Sequence, residues 1–188
     1  MKKIKILLFI LIIIFIGGCG DTYIEDDDIY NKEYDMWEYM TPSSSYDIEY
    51  AVYENGIRVD NFYETTKVFD TGIVERDSGD ERTILTPYQD TIRVEESDGE
   101  VIEVQRYIRI GDENIFQSPS IRSCRADDYF RSIVIKGVEF FNVIKVACQT
   151  DSSTSDIYYG YNEGIVSIYR SENGSITEIV KIDERRLQ

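Results

Sequence analysis

Short turn signals recur at strand-length intervals along most of this chain, and they restrict its fold more than any other feature. From residue 46 onward, a glycine stands beside a polar or charged residue between runs of strand-like sequence. These pairs are Asn55-Gly56, Ser78-Gly79, Asp98-Gly99, Gly111-Asp112, Lys136-Gly137, Glu163-Gly164 and Asn173-Gly174. Glycine accepts the positive φ that type I′ turns need, and these turns join neighbouring antiparallel strands. The pattern therefore predicts a succession of β-hairpins.

The runs between these turns alternate in the way that half-buried strands do. In residues 91–95, Ile92 and Val94 face one way, and in residues 101–110 four isoleucine or valine side chains share one face. Residues 115–128 form the one long connection, with room for a short helix. We therefore expect an all-β domain of about ten strands, an antiparallel meander that forms a curved or half-closed barrel.

The first residues have the composition of an export signal. Lys2, Lys3 and Lys5 precede an unbroken apolar run of eleven residues at 6–16. A helix that spans a bilayer needs about 20 apolar residues, so this run is too short to cross unaided. A basic start and a short apolar middle are typical of a secretory signal peptide. The alternatives are an ordinary signal peptide followed by an incidental cysteine, and a short N-terminal membrane anchor.

The end of this run, Ile16-Gly17-Gly18-Cys19, resembles the lipobox of bacterial lipoproteins. The resemblance implies a signal peptide at residues 1–18, cleavage before Cys19, and attachment of diacylglycerol to the Cys19 thiol. In that family the new amino terminus is often acylated too, with chains such as palmitate. Two or three acyl chains anchor a protein stably. In Gram-negative lipoproteins an Asp directly after the cysteine favours the inner membrane, but Gly20 stands there. We therefore expect a lipid-anchored protein of the cell envelope, on the outer membrane if the host has one.

The other two cysteines are placed for a disulfide. Strand-like runs at 129–135 and 142–148 flank the Lys136-Gly137 turn, and Cys124 and Cys148 are each twelve residues from Lys136. A disulfide suits an oxidising compartment, and a loop of this length would stabilise the fold by about 3 kcal/mol. Two buried free thiols or a reactive pair are the alternatives.

Residues 19–45 differ from the rest of the chain, because they are acidic and end in a serine cluster at 43–45. This composition predicts a solvated tether between the anchor and a β-domain at 46–188. The segment from Tyr34 to Tyr39 has more aromatic side chains than a solvated spacer usually has. They are expected either to dock on the domain as its first turn or edge strand, or to bind a partner as an acidic-aromatic peptide.

Residues 137–146 and 157–166 resemble a two-strand pattern found in exported bacterial lipoproteins. The resemblance implies a curved, lipoprotein-carrier-like antiparallel sheet. Most domains of that kind have no defined activity.

Charge and composition narrow the function. The chain has 36 acidic and 20 basic residues, a net charge of −16, and no histidine. Loss of the three lysines before residue 19 would make the mature charge −19. Nucleic-acid binding relies on clustered basic residues and is disfavoured. Histidine-dependent catalytic triads and zinc sites are excluded.

No catalytic motif replaces the missing histidine. Neither a phosphate-binding glycine loop nor a nucleophile elbow is present, and no carboxylate pair is singled out by its spacing. The acidic loops at 77–81 and 151–156 are candidates for calcium, but neither has the full calcium-loop pattern. We expect no enzymatic activity, no cofactor and no metal.

Tyrosine is unusually abundant, with 15 residues. Tyr158, Tyr159 and Tyr161 cluster at a predicted strand end, where a partner or ligand could contact them. The sequence thus favours a membrane-anchored envelope lipoprotein with a non-catalytic binding or assembly role. The alternative is a carrier that encloses a lipid or another apolar ligand in a curved β-sheet cavity. The expected partners are the membrane, through the anchor, and an envelope protein or apolar ligand.

Overall fold

A computed structural model describes residues 27–79 and 81–187, which fold mainly as antiparallel β-structure, as predicted. Two short helices are present in these ranges, α1 (Asp27–Asn31) and α2 (Met36–Met40). The strands are β1 (Tyr34–Asp35), β2 (Tyr46–Glu54), β3 (Ile57–Val68), β4 (Val74–Asp77), β5 (Arg82–Pro87), β6 (Thr91–Glu96), β7 (Val101–Gln105), β8 (Tyr107–Ile108), β9 (Phe116–Gln117), β10 (Ser123–Ile135), β11 (Val138–Gln149), β12 (Ser153–Gly160), β13 (Gly164–Glu172) and β14 (Ser175–Arg186).

Twelve of these strands form one antiparallel sheet in the order β10-β11-β12-β13-β14-β2-β3-β4-β5-β6-β7-β9. The sheet curls into a nearly closed barrel with one unsealed seam, between its end strands β9 and β10. At the seam the backbone of Ile115 links the two sides, because its carbonyl accepts from Gln105 at 2.8 Å and its N–H donates to Cys124 at 3.1 Å. The remaining strands, β1 and β8, pair with each other.

The predicted turns are present where the sequence places them. Asn55, Lys136 and Asn173 have φ of 49°, 49° and 50°, and each is followed by a glycine that also has a positive φ. Two successive residues of positive φ are the signature of the type I′ turn.

Two details of the sequence-based prediction are wrong. Residues 115–128 contain β9 and the start of β10 instead of a helix, because β10 begins well before residue 129. The run at 101–110 is not one strand, since Arg106 separates β7 from β8.

The inner core fills the inside of the barrel. It draws side chains from both sides of the seam and from the N-terminal segment, and all of them are buried. Its members are Tyr34, Met36, Tyr39, Met40, Val74, Leu85, Ile92, Val94, Val104, Ile108, Ile110, Ile115, Phe116, Cys124, Ala126, Ile144, Val146 and Tyr159.

The outer core lies on the opposite face of the same strands, because the neighbours Ile144 and Val143 belong to the inner and outer core respectively. Its buried members are Phe140, Val143, Val166 and Val180, with Tyr53, Phe130, Ile133, Ile135, Val138 and Tyr158 packed against them. The far half of the β10–β11 hairpin folds across this face. Its tip residue Lys136 forms an ion pair of 2.8 Å with Glu178 and lies 5.0 Å from the Tyr53 ring centroid.

Residues 34–41, which the sequence assigned to the tether, are part of the folded domain. Tyr34 and Asp35 pair with β8, and Met36, Tyr39 and Met40 of α2 are in the inner core. This arrangement matches the docking alternative for the aromatic segment. In the ranges that the structure describes, no helix is long and apolar enough to cross a membrane.

Candidate functional site

The cysteines on β10 and β11 lie directly opposite each other, with Cα atoms 4.1 Å apart, and are joined in a disulfide. This geometry fits the predicted bridge. Cys19, the expected lipidation site, lies outside the described residues.

A β-bulge sets the register of this pair. The Lys136-Gly137 turn alone would align Cys124 with Gln149, but one extra residue between Ala126 and Asp128 shifts the ladder so that Cys124 meets Cys148. The bulged residue, Asp127, has its carboxylate 2.9 Å from the Lys145 ammonium and also pairs with Arg125. The hydrogen bond from Lys145 lowers the pKa of Asp127, so this carboxylate remains charged at neutral pH.

The three tyrosines that the sequence singles out do not form one surface. Tyr158 packs in the outer core, whereas Tyr159 is 3% exposed in the inner core. Tyr161 is 40% exposed and lies at the rim of a groove. Tyr161 is therefore the most exposed of the three, whereas Tyr158 is half-buried and Tyr159 is buried.

The tyrosine groove, as we name it, has a volume of about 310 Å³. It lies between the N-terminal segment and the ends of three strands or turns of the barrel. It is lined by Lys32, Glu33, Tyr34, Asp35, Glu38, Tyr39, Tyr129, Asn142 and Tyr161. Four aromatic rings, three carboxylates, one amide and one ammonium group therefore surround one open space.

The rings of the groove hold one another in place. Tyr34 stacks on Tyr129 with centroids 5.3 Å apart, and it meets the edge of Tyr39 at 6.0 Å. Tyr39 in turn contacts Tyr161 edge-on at 5.5 Å. Aromatic pairs in these geometries are favourable beyond the area that they bury. The groove is therefore preformed.

Asp35 fixes the N-terminal side of the groove. Its carboxylate accepts the Trp37 N–H at 3.0 Å and so caps α2. The same carboxylate receives two N–H groups of Arg106, at distances of 2.9 to 3.1 Å. Arg106 also donates to the Tyr88 carbonyl at 3.1 Å, and its own carbonyl accepts from Met36 at 2.7 Å. One charge pair thus joins α2 to the barrel.

Asn142 fixes the opposite side. Its φ of 51° is positive, a conformation that asparagine tolerates better than most residues. In this position its side-chain oxygen accepts the Tyr129 hydroxyl at 2.8 Å and its carbonyl accepts the Tyr161 N–H at 3.1 Å. The N–H of Asn162 donates to the Glu38 carbonyl at 2.6 Å, which ties the β12–β13 turn to α2.

Two phenols of the groove, those of Tyr34 and Tyr39, are held in the neutral form. Burial raises the pKa of Tyr34 to about 12, and the charges of Tyr129 and Asp28 add to the shift. Burial also raises the pKa of Tyr39, with smaller contributions from neighbouring tyrosines and Glu38. Both hydroxyls are therefore hydrogen-bond donors at physiological pH.

The groove offers ring surfaces and carboxylates to a ligand, which is an arrangement suited to binding. Two of its hydroxyl groups already donate within the chain, that of Tyr34 to the Ile29 carbonyl at 3.4 Å and that of Tyr129 to Asn142. In the part of the chain that the structure describes, no group of three or more Cys, Asp or Glu side chains could hold a metal ion. A second depression of about 490 Å³ lies over the disulfide. Its lining is mostly polar and charged, with Glu113, Arg125 and Gln149 among its members, and contains no aromatic ring.

Sequence reasoning missed most of this site. It identified Tyr161, and it noted the aromatic segment from Tyr34 to Tyr39, but it placed Tyr129 in an ordinary strand and gave Asn142 no role. A scan against models of known protein families found no match, and a search of curated proteins found no similar sequence.

Proposed function

We propose that this chain is an exported, lipid-anchored lipoprotein of the bacterial cell envelope, with a non-catalytic binding or assembly role. The lipobox-like residues at 16–19 support export and lipid anchoring. The preformed tyrosine groove supports the binding role, and it is the observation on which that part of the proposal rests. Tyrosine gives a broad contact area with a polar tip, which suits protein interfaces.

The position of the groove agrees with an anchored protein. Seven residues, 20–26, separate Cys19 from Asp27, where the described chain begins. Even fully extended, the eight residue-to-residue steps from Cys19 to Asp27 span at most about 28 Å. Lys32 and Glu33, at the start of the groove lining, follow α1 directly. An anchor at Cys19 would therefore hold the groove close to the membrane, where it could meet other envelope proteins.

The inside of the barrel favours surface binding over carriage of a lipid. Met36, Leu85 and Ile144 are among the fully buried side chains that fill it, and α2 occupies one end. A carrier needs an open apolar cavity of several hundred Å³. The burial of these side chains supports surface binding over carriage.

Cell fractionation and native mass spectrometry test the two parts of this proposal. The wild-type chain should fractionate with membranes, and Cys19→Ala should be released from them. A Cys19→Ala protein that still fractionates with membranes would contradict the anchor. The purified domain should have the mass of the polypeptide alone. A copurifying lipid at one per chain would favour the carrier alternative.

A further inference from the structure

The tyrosine groove already contains a cation from its own chain. Lys32 directs its ammonium over the Tyr34 ring, 5.1 Å from the centroid. The other face of that ring is covered by Tyr129, so the ring cannot turn away. A positive charge at this distance from an aromatic face is attracted by the ring quadrupole. The groove is thus built to hold an ammonium group at this point.

The carboxylates around the groove are unequally neutralised. Asp35 is fully engaged by Arg106. Within the described ranges, the ion pair given for Glu33 is a long one, 4.0 Å to the Arg109 guanidinium, and both side chains are more than half exposed. Glu38 is exposed, and among the described residues it has no ion pair. Glu38, and Glu33 beside its long contact with Arg109, are therefore the carboxylates of the groove best placed to accept a further cation.

The net charge of the chain agrees with a basic partner. At −16 the protein repels other acidic molecules, including a second copy of itself, and attracts basic ones. Charge complementarity of this kind increases the association rate and selects between partners.

We propose that the tyrosine groove binds a lysine side chain presented by a basic segment of a partner protein. The ammonium of the partner takes the place of Lys32 over Tyr34 and reaches the Glu38 carboxylate, while Tyr161 covers the aliphatic stem. This inference rests on the proposed binding role of the groove and specifies the chemistry of the partner.

Lys32 then competes with the partner's lysine for the same position over the Tyr34 ring. Replacing it by a neutral residue should tighten binding, because the partner no longer has to displace it. If Lys32 occupies the position most of the time, Lys32→Gln should increase affinity about fivefold. Lys32→Arg keeps a cation there and is the matched control, which should bind like the wild type. Glu38→Gln should weaken binding about threefold or more, because it removes a carboxylate that the ligand reaches.

The test is a titration of the purified full chain with a capped peptide of alternating glycine and lysine. Trp37, the single tryptophan, lies in α2 beside the groove and provides the fluorescence signal. Peptides with norleucine or glutamate in place of lysine are the neutral and acidic controls. Circular dichroism verifies that each variant is folded, which is expected because Lys32 and Glu38 are exposed.

The expected result is binding of the lysine peptide alone, weaker at higher salt, with the stated order of the variants. Equal binding of the norleucine peptide would overturn the proposal, and so would a Lys32→Gln variant that binds no tighter than Lys32→Arg. Binding to phosphatidylethanolamine vesicles without binding to the peptide would also overturn it, because the cation would then come from a lipid. If a crosslinker at position 161 captures a partner while the lysine peptide does not bind, only this inference fails.

Discussion

The inner core and the outer core use opposite faces of the same strands, but they are closed in different ways. The inner core is closed by α2, whose Met36 and Met40 are buried and which is tied to the barrel by Asp35 and Arg106. The outer core is closed by the far half of one hairpin, and its tip is held by the pair of Lys136 with Glu178. Beneath that hairpin the Ser167 hydroxyl is buried without a hydrogen-bond partner.

This difference indicates what each core contributes. The inner core is complete and holds the segment that forms the groove, so groove and fold should be lost together. The outer core is a smaller layer and contains a buried hydroxyl without a hydrogen-bond partner. Changes there should therefore affect the hairpin more than the barrel.

High pH should have the largest effect. Burial raises the pKa of Tyr34 to about 12 and also raises that of Tyr39 and Tyr159, all in the inner core. The neutral phenols contribute fully to the free energy of unfolding below the unfolded-state pKa of about 10. This contribution is lost as the pH rises toward 12. Unfolding in this range should coincide with the appearance of tyrosinate absorbance. Full ionisation of the tyrosines by pH 11, with the fold retained, would show that the inner-core hydroxyls are accessible to solvent.

Met36→Ala should reduce the free energy of unfolding by about 2–5 kcal/mol, because it leaves a cavity in the inner core. Val134→Ala on the exposed side of the hairpin is the control and should cost less than about 0.5 kcal/mol. Urea denaturation measures both changes. If Met36→Ala costs no more than the control, the N-terminal segment does not close the inner core.

Removal of the disulfide by Cys124→Ala with Cys148→Ala should reduce stability by about 3 kcal/mol. Cys124 belongs to the inner core and lies at the seam. The loss of stability should therefore be seen as faster amide exchange in the barrel strands and not only in the hairpin. Hydrogen exchange can separate the two regions. Faster exchange confined to the hairpin tip would contradict this assignment.

Ser167→Ala should act in the opposite direction and stabilise the chain by about 1 kcal/mol, because a buried hydroxyl without a partner is removed. Ser132→Ala, at an exposed position of the same layer, should leave the melting temperature unchanged. A destabilised Ser167→Ala protein would mean that this hydroxyl is hydrogen-bonded in solution.

Lys136→Asn should have the smallest effect. Asparagine suits the positive φ of this turn, so the substitution removes the ion pair with Glu178 but retains the hairpin. Global stability should change little, while amide exchange in residues 130–141 becomes faster. Exchange that is unchanged there would show that the outer core does not depend on the tip contact.

The sequence predicted the parts of this structure that depend on local chemistry. A glycine that follows Asn55 or Lys136 determines a turn on its own, so hairpins can be inferred from neighbouring residues. The Asp127 bulge carries no such signal, because its pairing with Lys145 depends on the register that it creates. The groove was unpredictable for a similar reason. Tyr34 meets Tyr129 only after the Asp35–Arg106 pair, 71 residues apart in sequence, has docked the N-terminal segment.

Site-specific photo-crosslinking in cells tests the central claim, that the tyrosine groove is the binding face, most directly. A benzophenone amino acid replaces Tyr161 at the groove rim or, as the control, Tyr169 on the outer face of β13. The two positions are similarly exposed, 40% for Tyr161 and 36% for Tyr169. The account predicts a discrete crosslinked partner from position 161 and none from position 169. The same crosslink from both positions, or one from position 169 alone, would contradict it.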